Sequence, residues 1–271
     1  VDSDSIPYWT YTNQNFSGNP DLESEVAKTL TLGAVINPRW IEDFDITLDY
    51  WHVDLSGEIN SYDMNTIVQS CVDSESIDNP FCGFVTRRAD GIVDLVEMTQ
   101  LNLAKHSVKG LDIIANYALD LDSYGSLSFN TIWSKMLERK LQSDKSTEEI
   151  DFVGGMAYPQ WRGNVNMTYS LASFSATLNQ RFIGSQKTDL ETTNEDRYPN
   201  ETGNVWYTDL SLNYWYTDNI NFNLAINNLL DKGTPQLPLA NRGGASYHLG
   251  YTGGLFDTIG RYATLNVSYN F

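Results

Sequence analysis

Three histidines, two cysteines and 35 carboxylates carry the chemistry available to this 271-residue chain. His52, His106 and His248 lie far apart, and no HExxH, GxSxG or phosphate-binding glycine loop accompanies them. A serine–histidine–acid group would have to be gathered from distant segments. No catalytic residue and no cofactor is therefore assigned, and the reading is that the chain is not an enzyme. Acidic side chains cluster at Asp2 and Asp4, at Asp73, Glu75 and Asp78, at Glu148, Glu149 and Asp151, and at Asp189, Glu191, Glu195 and Asp196. None has the D-x-[DN]-x-[DN]-G spacing that preforms a calcium loop. They are read as solvated acidic surface, and no metal site is assigned.

Cys71 and Cys82 are separated by ten residues, one of them Pro80. In an oxidising compartment they would pair; in a reducing one they would remain thiols. Closing a loop of this length stabilises it by ~3 kcal/mol through the unfolded state. The role is structural, not redox. Aromatic side chains in or beside polar connections are the other chemical feature: Tyr8, Trp9, Tyr11, Tyr198, Trp206, Tyr207 and Tyr247. Flat rings stack on sugar faces or heterocycles at low entropic cost. Tyr8, Trp9, Tyr11, Tyr198, Trp206 and Tyr247 are taken as ligand-contact aromatics, against the alternative of loop packing or an interfacial girdle.

These residues hang on strands. From Trp161 the odd positions read Trp, Gly, Val, Met, Tyr, Leu, while the even ones read Arg, Asn, Asn, Thr, Ser. The same period of two runs through 174–182, 209–216, 220–227 and 263–271, and less cleanly through 29–36, 44–50, 111–119 and 126–133. Side chains at that period point to opposite faces, so each segment is a strand with one apolar and one polar face. About nine strands result, with 93–103 read as an upward extension of the 111–119 strand. Residues 65–71 suit a short helix inside a loop. Connections at 37–43, 120–125, 172–173 and 217–219 are short; those at 56–91, 139–157, 185–204 and 231–259 are long and polar. Long loops at one end and short turns at the other describe an antiparallel transmembrane β-barrel meander. A soluble β-sandwich is the alternative. The polar faces are Asn, Ser and Thr rather than Lys and Glu, and aromatics sit near strand ends, which favours the barrel.

Composition agrees. The net charge is −18, which opposes nucleic-acid binding. The mean hydropathy of −0.36 excludes a helical membrane protein but not a barrel, whose alternating strands average out as hydrophilic.

Several short segments carry a resemblance. Asn19-Pro20-Asp21-Leu22-Glu23-Ser24-Glu25, Gly110-Leu111-Asp112, Asn227-Asn228-Leu229-Leu230-Asp231-Lys232 and Gly260-Arg261-Tyr262 resemble, in order, motifs of TonB-dependent outer-membrane receptors. The resemblance implies a location in the outer membrane of a Gram-negative bacterium and a role in energised uptake of a small nutrient ligand. A passive porin is the alternative. It implies that residues 1–271 are the C-terminal part of a receptor barrel, a partial barrel of about nine strands, with the plug domain and TonB box absent from this chain. Implied partners are the lipid bilayer, the remainder of the barrel and plug, the TonB complex and the barrel-assembly machinery. Receptors with an acidic, Cys…Asn-Pro-Phe-Cys loop look similar and are often associated with carbohydrates. The terminal strand resembles an assembly signal, with Tyr269 and Phe271 its aromatic residues. Its odd positions from Ala263 to Phe271 are expected to face lipid, and Thr264, Asn266, Ser268 and Asn270 the lumen.

Overall fold

The computed structural model describes residues 12–73, 78–143, 148–187, 190, 200–235 and 255–271. In order come β1 (Asn13–Ser17), β2 (Val26–Ile36), β3 (Phe44–Asn60), helix α1 (Met64–Val72), a 3-10 turn at Pro80–Phe84, β4 (Val85–Arg87), β5 (Val93–Thr99), β6 (Leu101–Asp120) and β7 (Ser126–Gln142). They are followed by β8 (Ile150–Asp151), β9 (Trp161–Leu171), β10 (Phe174–Ile183), β11 (Val205–Thr217), β12 (Ile220–Asn227) and β13 (Tyr262–Tyr269). Two compact units are present: residues 1–28, 54–106 and 141–149, and residues 29–53, 107–140 and 150–271.

The larger sheet runs β2-β3-β6-β7-β9-β10-β11-β12-β13, with β8 added beside β7. Its path has the nine strands and the up-and-down order that the periodicity predicts. The short turns fall where expected, between β2 and β3, β6 and β7, β9 and β10, and β11 and β12. The tightest is the two-residue turn at 172–173, where Ala172 takes φ 48°, the left-handed conformation such hairpins require.

The register keeps the two faces apart. Leu127, Tyr169, Ala176, Leu212, Leu224 and Leu265 form one row across six strands, each paired with the next. The adjacent row on the opposite face reads Ser128, Thr168, Thr177, Ser211, Ala225 and Thr264. A slip of one residue would exchange the rows, so the pattern fixes the register. The polar row is partly self-bonded: the Thr168 and Thr177 hydroxyls are 2.9 Å apart.

Two expectations change. Residues 93–99 do not extend β6. They form β5, which pairs with β1 in parallel and β4 in antiparallel fashion in a separate three-stranded sheet. Only Leu101–Leu103 extend the strand, and the break falls at Gln100. No glycine or proline marks this break, although the apolar parity changes across it, from Val96 and Met98 to Leu101 and Leu103. Second, the alternating segments at 44–50, 111–119 and 126–133 belong to longer strands: β3, β6 and β7 have 17, 20 and 17 residues, more than the ~9–11 needed to cross a bilayer.

Each unit has its own apolar cluster. In the first, Ile67 of α1 packs with Val96 and Met98 of β5, flanked by Tyr62, Phe81 and Phe84. In the second, Ile183, Val205 and Tyr207 are covered by Leu255 and Phe256.

Candidate functional site

The four singled-out motifs prove to be joints. In the first unit, the Asn102 side chain bridges strands as a surrogate peptide. It accepts the Glu23 N–H (2.8 Å) and donates to the carbonyls of Glu23 (2.9 Å) and Gly57 (2.8 Å). Glu25 Oε1 accepts the Ile59 N–H at 2.7 Å. The Asn19–Glu25 segment is thereby fastened to β3 and β6 through backbone polar groups that must find partners.

In the second unit, Gly110 leaves room for a ring. A Cβ at this position would lie 2.3 Å from Trp51 Cζ2. The Trp51 indole N–H donates to Asp112 Oδ2 (3.0 Å), and Ser134 Oγ donates to Asp112 Oδ1 (2.6 Å). Gly110 and Asp112, two residues apart on one face, thus seat one tryptophan. The remaining two motifs hold each other. Asn228 is fully buried at φ 51°, a left-handed conformation that asparagine tolerates. Its N–H donates to Asp209 Oδ1 (2.7 Å), and its side chain exchanges hydrogen bonds with the Lys232 backbone at 2.8 and 2.9 Å. Asp231 Oδ1 then accepts the Arg261 N–H at 2.9 Å. The end of β12 is so tied to the start of β13.

The polar face carries a continuous amide relay. Asn179 Nδ2 donates to Asn166 Oδ1 (2.6 Å), Asn166 to Asn130 (3.4 Å), Asn130 to Asn116 (2.6 Å), and Asn116 to the Asp45 carboxylate (2.8 Å). All donors point one way, toward an anionic acceptor, which polarises the chain of bonds. A second short relay links Asn223 to Asn213 at 2.6 Å. Asp45, Asp112, Asn164, Asn166, Asp209, Asn213 and Asn223, all on the polar face by their parity, take part in these contacts or in the Asn228 and Asn179 bonds. Asp49 fronts Gly33. The Asn221 amide nitrogen is buried with no partner among the described residues.

At the long-loop end of this face, residues 255–259 cover β10 and β11. Tyr207, expected among the loop aromatics, is fully buried there, and its hydroxyl accepts the Asp257 N–H at 3.1 Å. The Arg181 guanidinium stands 4.7 Å from the Tyr207 ring centroid, and its Nε is buried without a partner among the described residues. Beside it opens a cavity of about 440 Å³ lined by Asn179, Arg181, Asp209, Asn227 and Asp257 among others. Amides, the Asp209 and Asp257 carboxylates and one guanidinium converge on this space, an arrangement suited to binding polar groups. The relay and this arginine site escaped sequence reasoning, because both depend on cross-strand register.

Other sequence-predicted residues are placed as follows. Cys71 and Cys82 are disulfide-bonded, with Cα atoms 4.8 Å apart, joining α1 to the 3-10 turn. The Asp63 carboxylate caps α1, accepting from the backbone N–H of Asn65 (2.9 Å) and Thr66 (3.1 Å) and from the Thr66 hydroxyl (2.5 Å). These bonds, that of the hydroxyl foremost, hold its carboxyl below the ordinary range. Trp206 lies on the apolar face in a cluster with Phe182 (4.7 Å) and Trp133 (6.0 Å). Tyr269 shares that face with Ile220 and packs edge-on with Phe271 at 4.9 Å. Tyr8, Trp9, Tyr11, Tyr198 and Tyr247 lie outside the described residues, as does His248. Ser107 Oγ is 3.4 Å from His52 Nε2 but donates to Glu138 Oε1 at 3.0 Å. Its proton is thus engaged by the acid, unlike that of a serine activated by a histidine base.

Comparison with known proteins gives a consistent answer. No curated protein matches the chain. Among solved structures, the siderophore receptor PirA from Acinetobacter baumannii is similar at TM-score 0.60 and 15% identity, covering 94% of this chain and 33% of that one. A ferric enterobactin receptor (PfeA) mutant from Pseudomonas aeruginosa is similar at TM-score 0.57 and 17% identity, over 93% and 32%. The FrpB iron transporter from Neisseria meningitidis is similar at 0.56 and 14%, over 94% and 33%. The chain thus spans about a third of the length of these structures. The family model described as TonB dependent receptor-like, beta-barrel, matches residues 5–229. On that match, and with a two-faced antiparallel meander of the fitting order, the chain belongs to the TonB-dependent receptor-like β-barrel family.

Proposed function

We propose that residues 1–271 form the C-terminal part of the barrel of an outer-membrane active-transport receptor. The receptor takes up a small nutrient ligand with energy relayed by TonB, in a Gram-negative bacterium. The observation that carries this reading is the family match over residues 5–229 on a sheet whose polar face is a wall of bonded amides. In the closed receptor that wall lines the lumen, and the apolar rows meet the bilayer. Plug, TonB box and the preceding strands lie outside this chain, and the barrel-assembly machinery inserts the whole. The ligand contacts the loop aromatics Tyr8, Trp9, Tyr11, Tyr198 and Tyr247 together with the polar site around Arg181; Trp206, on the apolar face, does not take part. A passive porin would share the two-faced sheet, but the receptor-family match favours energised uptake. The test uses strains lacking either the gene for the complete protein or TonB, grown on a panel of iron chelates and oligosaccharides as sole sources. Loss of growth on the same source in both strains is expected. Loss in the gene deletion alone would make the protein a porin.

A further inference from the structure

Three charged side chains on the polar face run diagonally across β9, β10 and β11. Arg181 faces Asn164 and Tyr207, while Arg162 faces Ile183 and Asp209 faces Asn179. Arg162 and Asp209 are thus diagonal neighbours of Arg181 on its two sides, at ~7–8 Å each. Among the described residues neither arginine is paired with a carboxylate. The Arg181 guanidinium lies against the Tyr207 ring, and its Nε is buried with no partner among those residues. A native fold leaves few buried donors unspent, and one that stays so calls for a partner from outside the chain.

Arg181 borders two recesses of opposite character. Toward β9, one of about 250 Å³ is lined by Arg162, Arg181, Asn164 and Leu255 among others. Asn164 Oδ1 already accepts from Asn179 at 2.6 Å, which leaves the Asn164 amide nitrogen to donate. Two guanidinium groups and an amide N–H suit a carboxylate. Toward β11 and β12 lies the cavity of about 440 Å³. Here Asn179 spends both N–H donors, on Asn164 and Asn166 at 2.6 Å, so its oxygen alone remains. Asp209 and Asp257 each commit one oxygen, to the N–H groups of Asn228 and Ile259, and keep the other. One amide oxygen and two carboxylate oxygens suit an ammonium. From the midpoint of the two arginines to Asp209 is about 11 Å by the cross-strand spacing. Three extended residues span ~10–11 Å, so the ends of a tripeptide match the two recesses.

We propose that the ligand is a peptide-like zwitterion of about three residues' length, its carboxylate on Arg162 and Arg181 and its ammonium among Asn179, Asp209 and Asp257. The inference rests on the receptor reading and narrows it to one substrate class. It is tested on the purified complete receptor by saturation-transfer NMR, titrating trialanine, N-acetyl-trialanine and trialanine amide. Trialanine should bind about tenfold more tightly than either capped form, because each cap removes one charge-assisted contact. Arg162→Gln with Arg181→Gln should weaken trialanine about tenfold and leave the amide unchanged. Asp257→Asn should weaken trialanine severalfold and leave the N-acetyl form unchanged. Heat-modifiable migration is measured on each protein, and the capped peptides decide the matter on wild type where a variant fails to assemble. Heat-modifiable wild type that does not bind trialanine, or binds a capped form equally well, overturns this proposal and leaves the barrel reading intact. So does a heat-modifiable arginine double variant that binds trialanine as wild type does. Wild-type protein without heat-modifiable migration overturns both.

Discussion

Gly110→Ala is the most discriminating perturbation of the fold. The added Cβ would lie 2.3 Å from Trp51 Cζ2 and 2.6 Å from Cε2, well inside contact distance. There are two ways out. The strands can move apart, at the ~1–3 kcal/mol of overpacking a close-packed site. Alternatively the indole can swing away, forfeiting its bond to the Asp112 carboxylate at 3.0 Å, a charge-assisted bond of ~1.5–3 kcal/mol. The cheaper route sets the cost, so Gly110→Ala should destabilise by about 2 kcal/mol, a roughly thirtyfold shift in the folded ratio. With Trp51→Ala already in place there is nothing to strike, and Gly110→Ala becomes neutral or slightly favourable, because glycine weakens a strand. The double-mutant cycle should therefore give a coupling of about 2 kcal/mol. The assay is urea unfolding of the complete receptor in phospholipid vesicles, followed by heat-modifiable migration. A Gly110→Ala cost that is the same with and without Trp51 would refute the seating argument.

Three further outcomes follow from the same geometry. Reducing the Cys71–Cys82 bond, or changing both residues to serine, should loosen the α1 segment by up to ~3 kcal/mol, read as faster amide exchange in Met64–Val72 with heat-modifiable migration retained. The Asp63 carboxyl has its acidity increased by folding, below its ordinary value of 3.8. Its contribution to α1 is therefore complete above that value and is lost as pH falls through the lowered one; amide exchange in α1 should speed up on acidification, and Asp63→Ala should weaken the helix by ~1 kcal/mol and remove that pH dependence. Phe271→Asp, or deletion of Phe271, should lower assembled receptor in outer-membrane fractions while synthesis is unchanged. A charge at the interface costs only ~0–1 kcal/mol, so a large drop reports lost recognition, and wild-type levels would remove the assembly role.

The sequence by itself determined the faces and the turns. Side-chain direction alternates at every residue of a strand, so Leu265 and Asn266 reveal their sides without any knowledge of neighbours. The short polar gaps between alternating segments then mark the turns at 37–43, 120–125, 172–173 and 217–219. The pairing of Cys71 with Cys82 was also legible, because the two lie within one loop and local chain length limits their separation. What only the tertiary structure decided is whatever depends on a partner strand. No glycine or proline interrupts Val93 to Leu103, yet β5 leaves the large sheet and pairs with β1, since strand partners are chosen by register and burial, not by turn signals alone. Gly110 and Asp112 read as a motif, but their purpose lies in Trp51, 59 positions upstream of Gly110. Asp231 and Arg261 read as two unrelated signatures until the fold brings them within 2.9 Å. Trp206 read as a loop aromatic because it follows a long polar segment; its side is set by pairing with Phe182 on β10, which puts it with the other rings on the apolar face. A strand fixes the direction of its own side chains, while the distances between them belong to the sheet.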